Sequence, residues 1–309
     1  MKIVFDKNDW DENAVAATIG FFDGVHPGHR FLLQEMQQLA AERRMPSAII
    51  TFPVHPRLVL HSDYQPKLLN SFDEKLKLLS ETGVDYIIVL DFTPELARLT
   101  ANEFMATVLV PDWKVRTLLV GYNHRFGFQY AAGTEHYILD GEACGVEVIK
   151  TSSFSSSEGT AVSSSMVRRM IEAGHVADAS RLLGYDYQLK GRVINGNRLG
   201  RQIGFPTANI ELDDKYKVVP RDGSYAVRIT TGHKKYKGML YIGSRPTIGF
   251  NDSLSIEAHI FDFSDDIYNE PIIVEFVDFI REGKKFNSLD DLHEQLQADK
   301  EKAMMVVCS

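Results

Sequence analysis

The chain has 309 residues, 44% hydrophobic and 25% charged, a balance that supplies two globular cores rather than one. Its formal net charge of −8 argues against a broad nucleic-acid footprint, which needs clustered Lys and Arg, but leaves room for a local phosphate pocket. Cys144 and Cys308 lie far apart, acidic residues come early, and no apolar run nears the roughly 20 residues of a membrane span; a disulfide framework, a zinc site, a secretory leader and a transmembrane helix are not expected, and the cytoplasm is.

In chain order, the first half alternates. Ala14–Ile19 reads as a short buried strand followed by a turn. From Gly28 to about Arg44, Leu32, Met36, Leu39 and Ala40 recur at helical spacing. Ser47–Phe52 is strand-like. Ser71–Thr82 predicts a helix, opened by the capping box Ser71-x-x-Glu74 and stopped at Gly83. Asp85–Phe92 has a buried-strand pattern. Thr100-x-x-Glu103 opens another helix, with Pro111 placed after its end. Val115–Gly121 predicts a strand, Thr134–Cys144 a helix, Val146–Thr151 a strand, and Ser165–Ala173 a helix before Gly174. Five strands alternating with helices imply a parallel α/β sheet with ligands beyond the strands' carboxyl ends.

From about Tyr187 the rhythm changes. The runs YQLKGRVI, FPTANIEL, SYAVRITT, KKYKGMLYIGS, SIEAHIFDF and PIIVEFVDFIR follow one another, with Thr231-Gly232-His233 as a hairpin turn. Strands without intervening helices predict a small antiparallel barrel or sandwich. A polar helix over about Ser288–Val306 closes the pattern. The expected division lies near Gly184, giving domains 1–184 and 185–309. The serine-rich stretch Thr151–Ser165 reads as a loop.

GFFDGVHPGHR (Gly20–Arg30) places His26 and His29 where the first strand ends and a helix begins. A helix N-terminus is a ready anion site, Gly24 and Gly28 permit close approach, and two imidazoles add donors, so a nucleotide triphosphate fits. No Walker-A sequence and no GxG occurs. On the two histidines alone, a pair of surface residues or half a metal site is as good a reading.

The whole stretch resembles the HxGH nucleotidyltransferase superfamily, and GFFDGVH resembles bacterial FAD synthetases. The resemblance implies that Gly20, Phe21, Asp23, His26 and His29 bind ATP, the histidines stabilising its phosphates. Ser163-Ser164-Ser165-Met166-Val167-Arg168 stands where the family has SSTxxR, which implies that Ser164, Ser165 and Arg168 bind phosphate oxygens. TFPVHPRL resembles TFxPHP, with Val54 for proline, and assigns Phe52, His55 and Arg57 to FMN. VGYNHRFG resembles GxNFxFG, with His124 for an aromatic; it assigns Asn123 to nucleotide or metal and Phe126 to FMN.

Glycines recur at 191, 196, 200 and 204, a pattern that suits either a phosphate cradle or an ordinary turn-rich connection. Gly204-Phe205-Pro206-Thr207-Ala208-Asn209 resembles the PTAN motif of riboflavin kinases, preceded by that family's GRxLGF with Ile203 for leucine. The resemblance implies ATP binding by Gly196, Gly200, Arg201, Gly204, Pro206, Thr207 and Asn209, with Mg²⁺ at Thr207 and Asn209. Two-residue spacing puts the last two on one side of a strand. Glu257 matches the family's catalytic glutamate and becomes the general base, also facing the flavin; Gly243–Gly249 matches a further segment, and Arg281 is assigned to flavin or phosphates.

The expected architecture is therefore a Rossmann-like HxGH domain with a parallel sheet, followed by a six-stranded antiparallel flavokinase-like β-barrel with a terminal helix. The implied ligands are riboflavin, FMN, ATP and FAD, with Mg²⁺, no nucleic acid and no membrane; a homo-oligomer is left open. Two alternatives stay in view: an adenylyltransferase for another substrate with an accessory barrel, and an inactive flavin or nucleotide sensor.

Overall fold

A computed structural model describes residues 1–60, 63–121, 126–128, 135–151, 162–196, 199–245 and 253–307. It divides into two compact units, Met1–Ser164 and Ser165–Ser309.

The first unit is built on a six-stranded parallel sheet in the order β1-β4-β3-β2-β5-β6. The five expected strands are β2 (Val15–Ile19), β3 (Ser47–Thr51), β4 (Tyr86–Val89), β5 (Val115–Val120) and β6 (Glu147–Lys150). A sixth, β1 (Lys2–Val4), pairs with β4 through Ile3 opposite Ile87. Three residues are too few to show a period, so the sequence carries no signal for it. Every residue of β2 and β3 is buried, as strands covered on both faces require. Ala17, Ile50 and Leu118 face a core with Phe104 and Trp113; Ile49, Ile87 and Leu119 face another with Leu33, Met36 and Leu79.

The helices are α1 (Pro27–Glu42), α2 (Pro56–Leu60), α3 (Phe72–Ser80), α4 (Ala101–Phe104), α5 (Val110–Trp113) and α6 (Glu135–Cys144). Both capping boxes form, Ser71 with Glu74 and Thr100 with Glu103. Pro111 does not follow the helix that Thr100 opens. A π-turn over Met105–Leu109 joins α4 to α5 with helical backbone throughout, and Pro111 lies inside this continuous helix just after the π-turn, whose altered bonding accommodates a residue without an N–H. Because β3 and β5 flank β2 on opposite sides, the chain after β2 emerges at the point where strand order reverses.

In the second unit, α7 (Ser164–Glu172, its first residue belonging to the first unit) leads to α8 (Val176–Leu183), which packs on the barrel and ends at left-handed Gly184. The barrel is closed in the order β10-β11-β8-β7-β12-β9, so it leaves no open edge. Its strands are β7 (Gln188–Ile194), β8 (Ala208–Leu212), β9 (Gly223–Thr231), β10 (Lys234–Arg245), β11 (Ser253–Ile260) and β12 (Pro271–Arg281), all antiparallel to their neighbours. Thr231 pairs with Lys234, leaving Gly232 and His233 as a two-residue turn, both at positive φ, the geometry that matches strand twist. A short α9 (Leu199–Gln202) precedes β8, and α10 (Leu289–Val307) seats Ala303 and Val307 against Phe205, Met239 and Phe261.

Candidate functional site

In the first unit the residues Gly20–His26 form a tight, strained loop. Phe22 and Val25 adopt positive φ (56° and 35°), a region that bulky side chains occupy only when their surroundings enforce it. The enforcement is visible. The Asp23 carboxylate accepts the backbone N–H groups of Leu69 and Asn70, the Asn70 side chain accepts that of Gly24, and the Asp23 carbonyl accepts the Ser164 hydroxyl at 2.8 Å. Asp23 is 5% exposed and shapes this loop.

His26 caps α1, its Nδ1 accepting the backbone N–H of His29. That fixes the neutral tautomer with hydrogen on Nε2, a donor suited to a phosphate oxygen. The two imidazoles stack with centroids 3.7 Å apart. Burial pulls the His26 pKa from 6.5 to about 4, so it is an uncharged donor at neutral pH.

The segment after β3 lies against this loop. The His55 ring packs edge-on against Phe21 at 4.7 Å and near Tyr64, over which Arg57 also sits. Phe52 turns inward, 6% exposed, onto Phe92. Beneath Phe21 lies Lys75, 2% exposed, its Nζ 3.7 Å from the ring centroid and donating to the Phe52 carbonyl at 2.8 Å. Sequence reasoning missed Lys75. The available signal was its spacing: with Phe72, Leu76 and Leu79 it occupies the apolar stripe of α3, where a charge is out of place.

Phe126 stacks on Tyr137 at 4.5 Å, and its backbone N–H and carbonyl both bond the Tyr137 hydroxyl. Asn123 and His124 lie outside the described residues, as do most of the serine-rich stretch, residues 246–249 and Cys308. Ser165 accepts from Arg168 one turn along α7.

In the second unit, Thr207, Asn209 and Glu257 come together. Glu257 faces Asn209 across the β8–β11 pair. Its Oε2 accepts the Thr207 hydroxyl at 3.2 Å and its Oε1 the Ser255 hydroxyl at 2.9 Å. These two hydroxyl donors help to orient the carboxylate. Sequence reasoning missed Ser255, two residues before Glu257 on the same strand face. It also missed His259, whose Nδ1 donates to the Pro206 carbonyl at 2.8 Å and whose ring packs on Phe205.

Gly200 is required by close approach, since a Cβ there would lie 2.1 Å from the Phe205 carbonyl; a Cβ at Gly196 would lie 2.0 Å from the Asn209 amide nitrogen and would displace that side chain. Gly204 takes φ 76°, which side chains avoid. A cavity of about 390 Å³ opens beside this cluster, lined by Arg201, Pro206, Thr207, Phe263, Asp265 and Tyr268 among others. Arg281 is engaged elsewhere: its Nε and Nη2 donate to Asp299, 1% exposed on α10, and its Nη1 to the Glu282 carbonyl.

Thr207, Asn209 and Glu257 offer hydroxyl, amide and carboxylate oxygens, the donors Mg²⁺ prefers. No cluster of three or more His, Cys, Asp or Glu suited to a metal occurs among the described residues. No described helix is long and apolar enough to cross a membrane.

Two family matches divide the chain as the units do in outline. The family described as FAD synthetase matches residues 8–166, and that described as riboflavin kinase matches residues 183–307. The chain is similar to the bifunctional riboflavin kinase/FMN adenylyltransferase of Escherichia coli K12, 38% identical over 91% of this chain and 89% of the relative. The proteins of the same name from Listeria monocytogenes (33%, over 95% and 93%) and Bacillus subtilis (34%, over 93% and 90%) are similar as well. Among solved structures, one described as a macrolide-efflux protein from Streptococcus pneumoniae superposes with a TM-score of 0.84 at 32% identity, over 98% of each chain.

Proposed function

The chain belongs to the bifunctional riboflavin kinase/FMN adenylyltransferase family, and from that premise we propose how its residues divide the two reactions. The functional boundary is taken at Gly184, with residues 1–184 making FAD from FMN and ATP and residues 185–309 making FMN from riboflavin and ATP. The observation that carries this reading is the convergence of Glu257, Thr207 and Asn209 on one barrel face, in a unit without the histidine loop.

In the kinase half, the riboflavin 5′-hydroxyl is a weak nucleophile whose proton must leave as it attacks the γ-phosphorus. Glu257 accepts that proton, oriented by Ser255 and Thr207. The cavity beside Arg201, Pro206 and Thr207 receives ATP, with Gly196, Gly200 and Gly204 keeping the backbone clear. Thr207 and Asn209 would hold Mg²⁺, which supplies charge neutralisation on the phosphates. The resemblance carries Arg281 to flavin or phosphates, with Asp299 of the terminal helix holding its guanidinium.

In the adenylylating half, the FMN phosphate has a second pKa of about 6 and is already mostly dianionic at neutral pH. It attacks the α-phosphorus and pyrophosphate departs, so no general base is needed. The task is to bring two anions together and stabilise the leaving charge. His26 donates through Nε2, His29 and the α1 N-terminus add further donors, and Gly20 and Phe21 line the nucleotide's approach. The resemblance carries Ser164, Ser165, Arg168 and Asn123 to the same nucleotide, and His55, Arg57 and Phe126 to FMN. Phe52, turned into the core, acts through its carbonyl. We place the enzyme in the cytoplasm, with small molecules as its ligands and neither nucleic acid nor membrane as partner.

The test is direct. Protein incubated with riboflavin, Mg²⁺ and ATP should yield FMN and then FAD on chromatographic separation; riboflavin recovered unchanged from folded protein rejects the reading.

A further inference from the structure

We propose that Lys75 is a positioning residue for adenylyl transfer, its buried ammonium setting the spacing between the histidine loop and the segment assigned to FMN. The proposal rests on the division of reactions given above and on the assignment of His55 and Arg57 to flavin.

The geometry is specific. One cation touches the chain after β2 and the chain after β3 at once. Its Nζ bonds the Phe52 carbonyl at 2.8 Å and lies 3.7 Å from the Phe21 centroid, with Phe72 of its own helix at 5.6 Å. The contacts continue from Phe21: it meets His55, and His55 meets Tyr64. Moving the ammonium therefore moves the ring on which the FMN segment rests.

The placement is also costly. A buried ammonium on a neutral carbonyl and aromatic faces recovers only part of its hydration, and an apolar side chain at this stripe position of α3 would pack without that penalty. Burial pulls the Lys75 pKa from 10.5 to about 7, with the Asp23 carboxylate opposing the shift. A group that weakens the fold, at the junction of two segments facing anionic substrates, is explained by what it does for those substrates.

The test compares Lys75→Met and Lys75→Gln with the unaltered full-length enzyme. Both tryptophans, Trp10 and Trp113, belong to the first unit, so tryptophan fluorescence reports its folding without interference from the barrel. In the folded variants the KM for FMN in FAD formation should rise about tenfold or more. At saturating FMN the kcat should stay within about threefold, and riboflavin phosphorylation should be unaltered. A folded variant with KM for FMN raised less than about threefold, or with a loss confined to kcat, overturns the proposal.

A second measurement needs no variant. In enzyme carrying ¹³C-labelled lysines, the signal that titrates near neutral pH should shift when FMN is added, and a signal unmoved by saturating FMN overturns the proposal equally. Failure of the underlying assignments looks different. The unaltered enzyme would then make no FAD, or Arg57→Ala would leave the KM for FMN where it was.

Discussion

The Thr207 hydroxyl donates to the Glu257 carboxylate across 3.2 Å, joining residues fifty positions apart in the chain. The β8–β11 pairing produces the contact, because Glu257 stands opposite Asn209 in register. A slip of one residue would turn Glu257 to the other face of the barrel wall and separate base from nucleotide. The barrel's register is thus part of the kinase site.

Glu257→Gln keeps the shape and the hydrogen bond from Thr207 but removes the proton acceptor. FMN formation should fall by roughly 10²- to 10⁴-fold, the usual worth of a positioned base. FAD formation from supplied FMN should be unchanged, as chromatography of the flavins would report. Loss of both activities in folded protein would mean that the sites are not separate.

His29→Ala should give the opposite pattern. Removing one imidazole of the stacked pair takes a donor from the phosphate site and a ring from His26. FAD formation is expected to drop by about 10²-fold, in the range found for a single donor to a developing phosphoryl or oxyanion charge, with riboflavin phosphorylation intact.

Gly196→Ala tests the close approach to Asn209. The new methyl would lie 2.0 Å from the Asn209 amide nitrogen, so Asn209 must move. Steady-state kinetics should show the KM for ATP in the kinase reaction raised about tenfold. Melting of the second unit should register a cost of about 1–3 kcal/mol from overpacking.

The first unit should lose stability in mild acid through His26. Its folded pKa lies near 4 and its unfolded value near 6.5. Below 6.5 the unfolded chain therefore binds the proton that the folded one refuses. The contribution of His26 is complete above about pH 6.5 and declines as pH falls toward 4. Urea unfolding followed by tryptophan fluorescence should show the decline, and His26→Gln should flatten it. An equal slope in both proteins contradicts the burial of a neutral His26.

Much of this was legible in the sequence, for identifiable reasons. β2 and β3 are uninterrupted apolar runs, Ser71 and Thr100 announce their helices through their glutamates, and Gly232-His233 fits the turn between β9 and β10. Those signals are local. β1 escaped because three residues carry no period, and the π-turn escaped because it depends on how Pro111 is accommodated three-dimensionally. At the sites, the resemblance picked out Glu257 and Thr207 but not Ser255, His259 or Lys75. The roles of these three depend on partners, Glu257, Pro206 and Phe52, that only folding brings to them in that geometry. Arg281 was named from the resemblance, but its partner Asp299 arrives from the last helix and carries no local signal in the sequence.

That pair has a consequence for the newly made chain. Asp299 follows Arg281 by eighteen residues, so during translation β12 leaves the ribosome with its guanidinium waiting for a carboxylate still to be synthesised or still inside the exit tunnel. The closing ion pair of the barrel is therefore the last to form: until α10 has emerged and delivered Asp299, Arg281 at the end of β12 lacks the buried carboxylate that neutralises it in the folded protein.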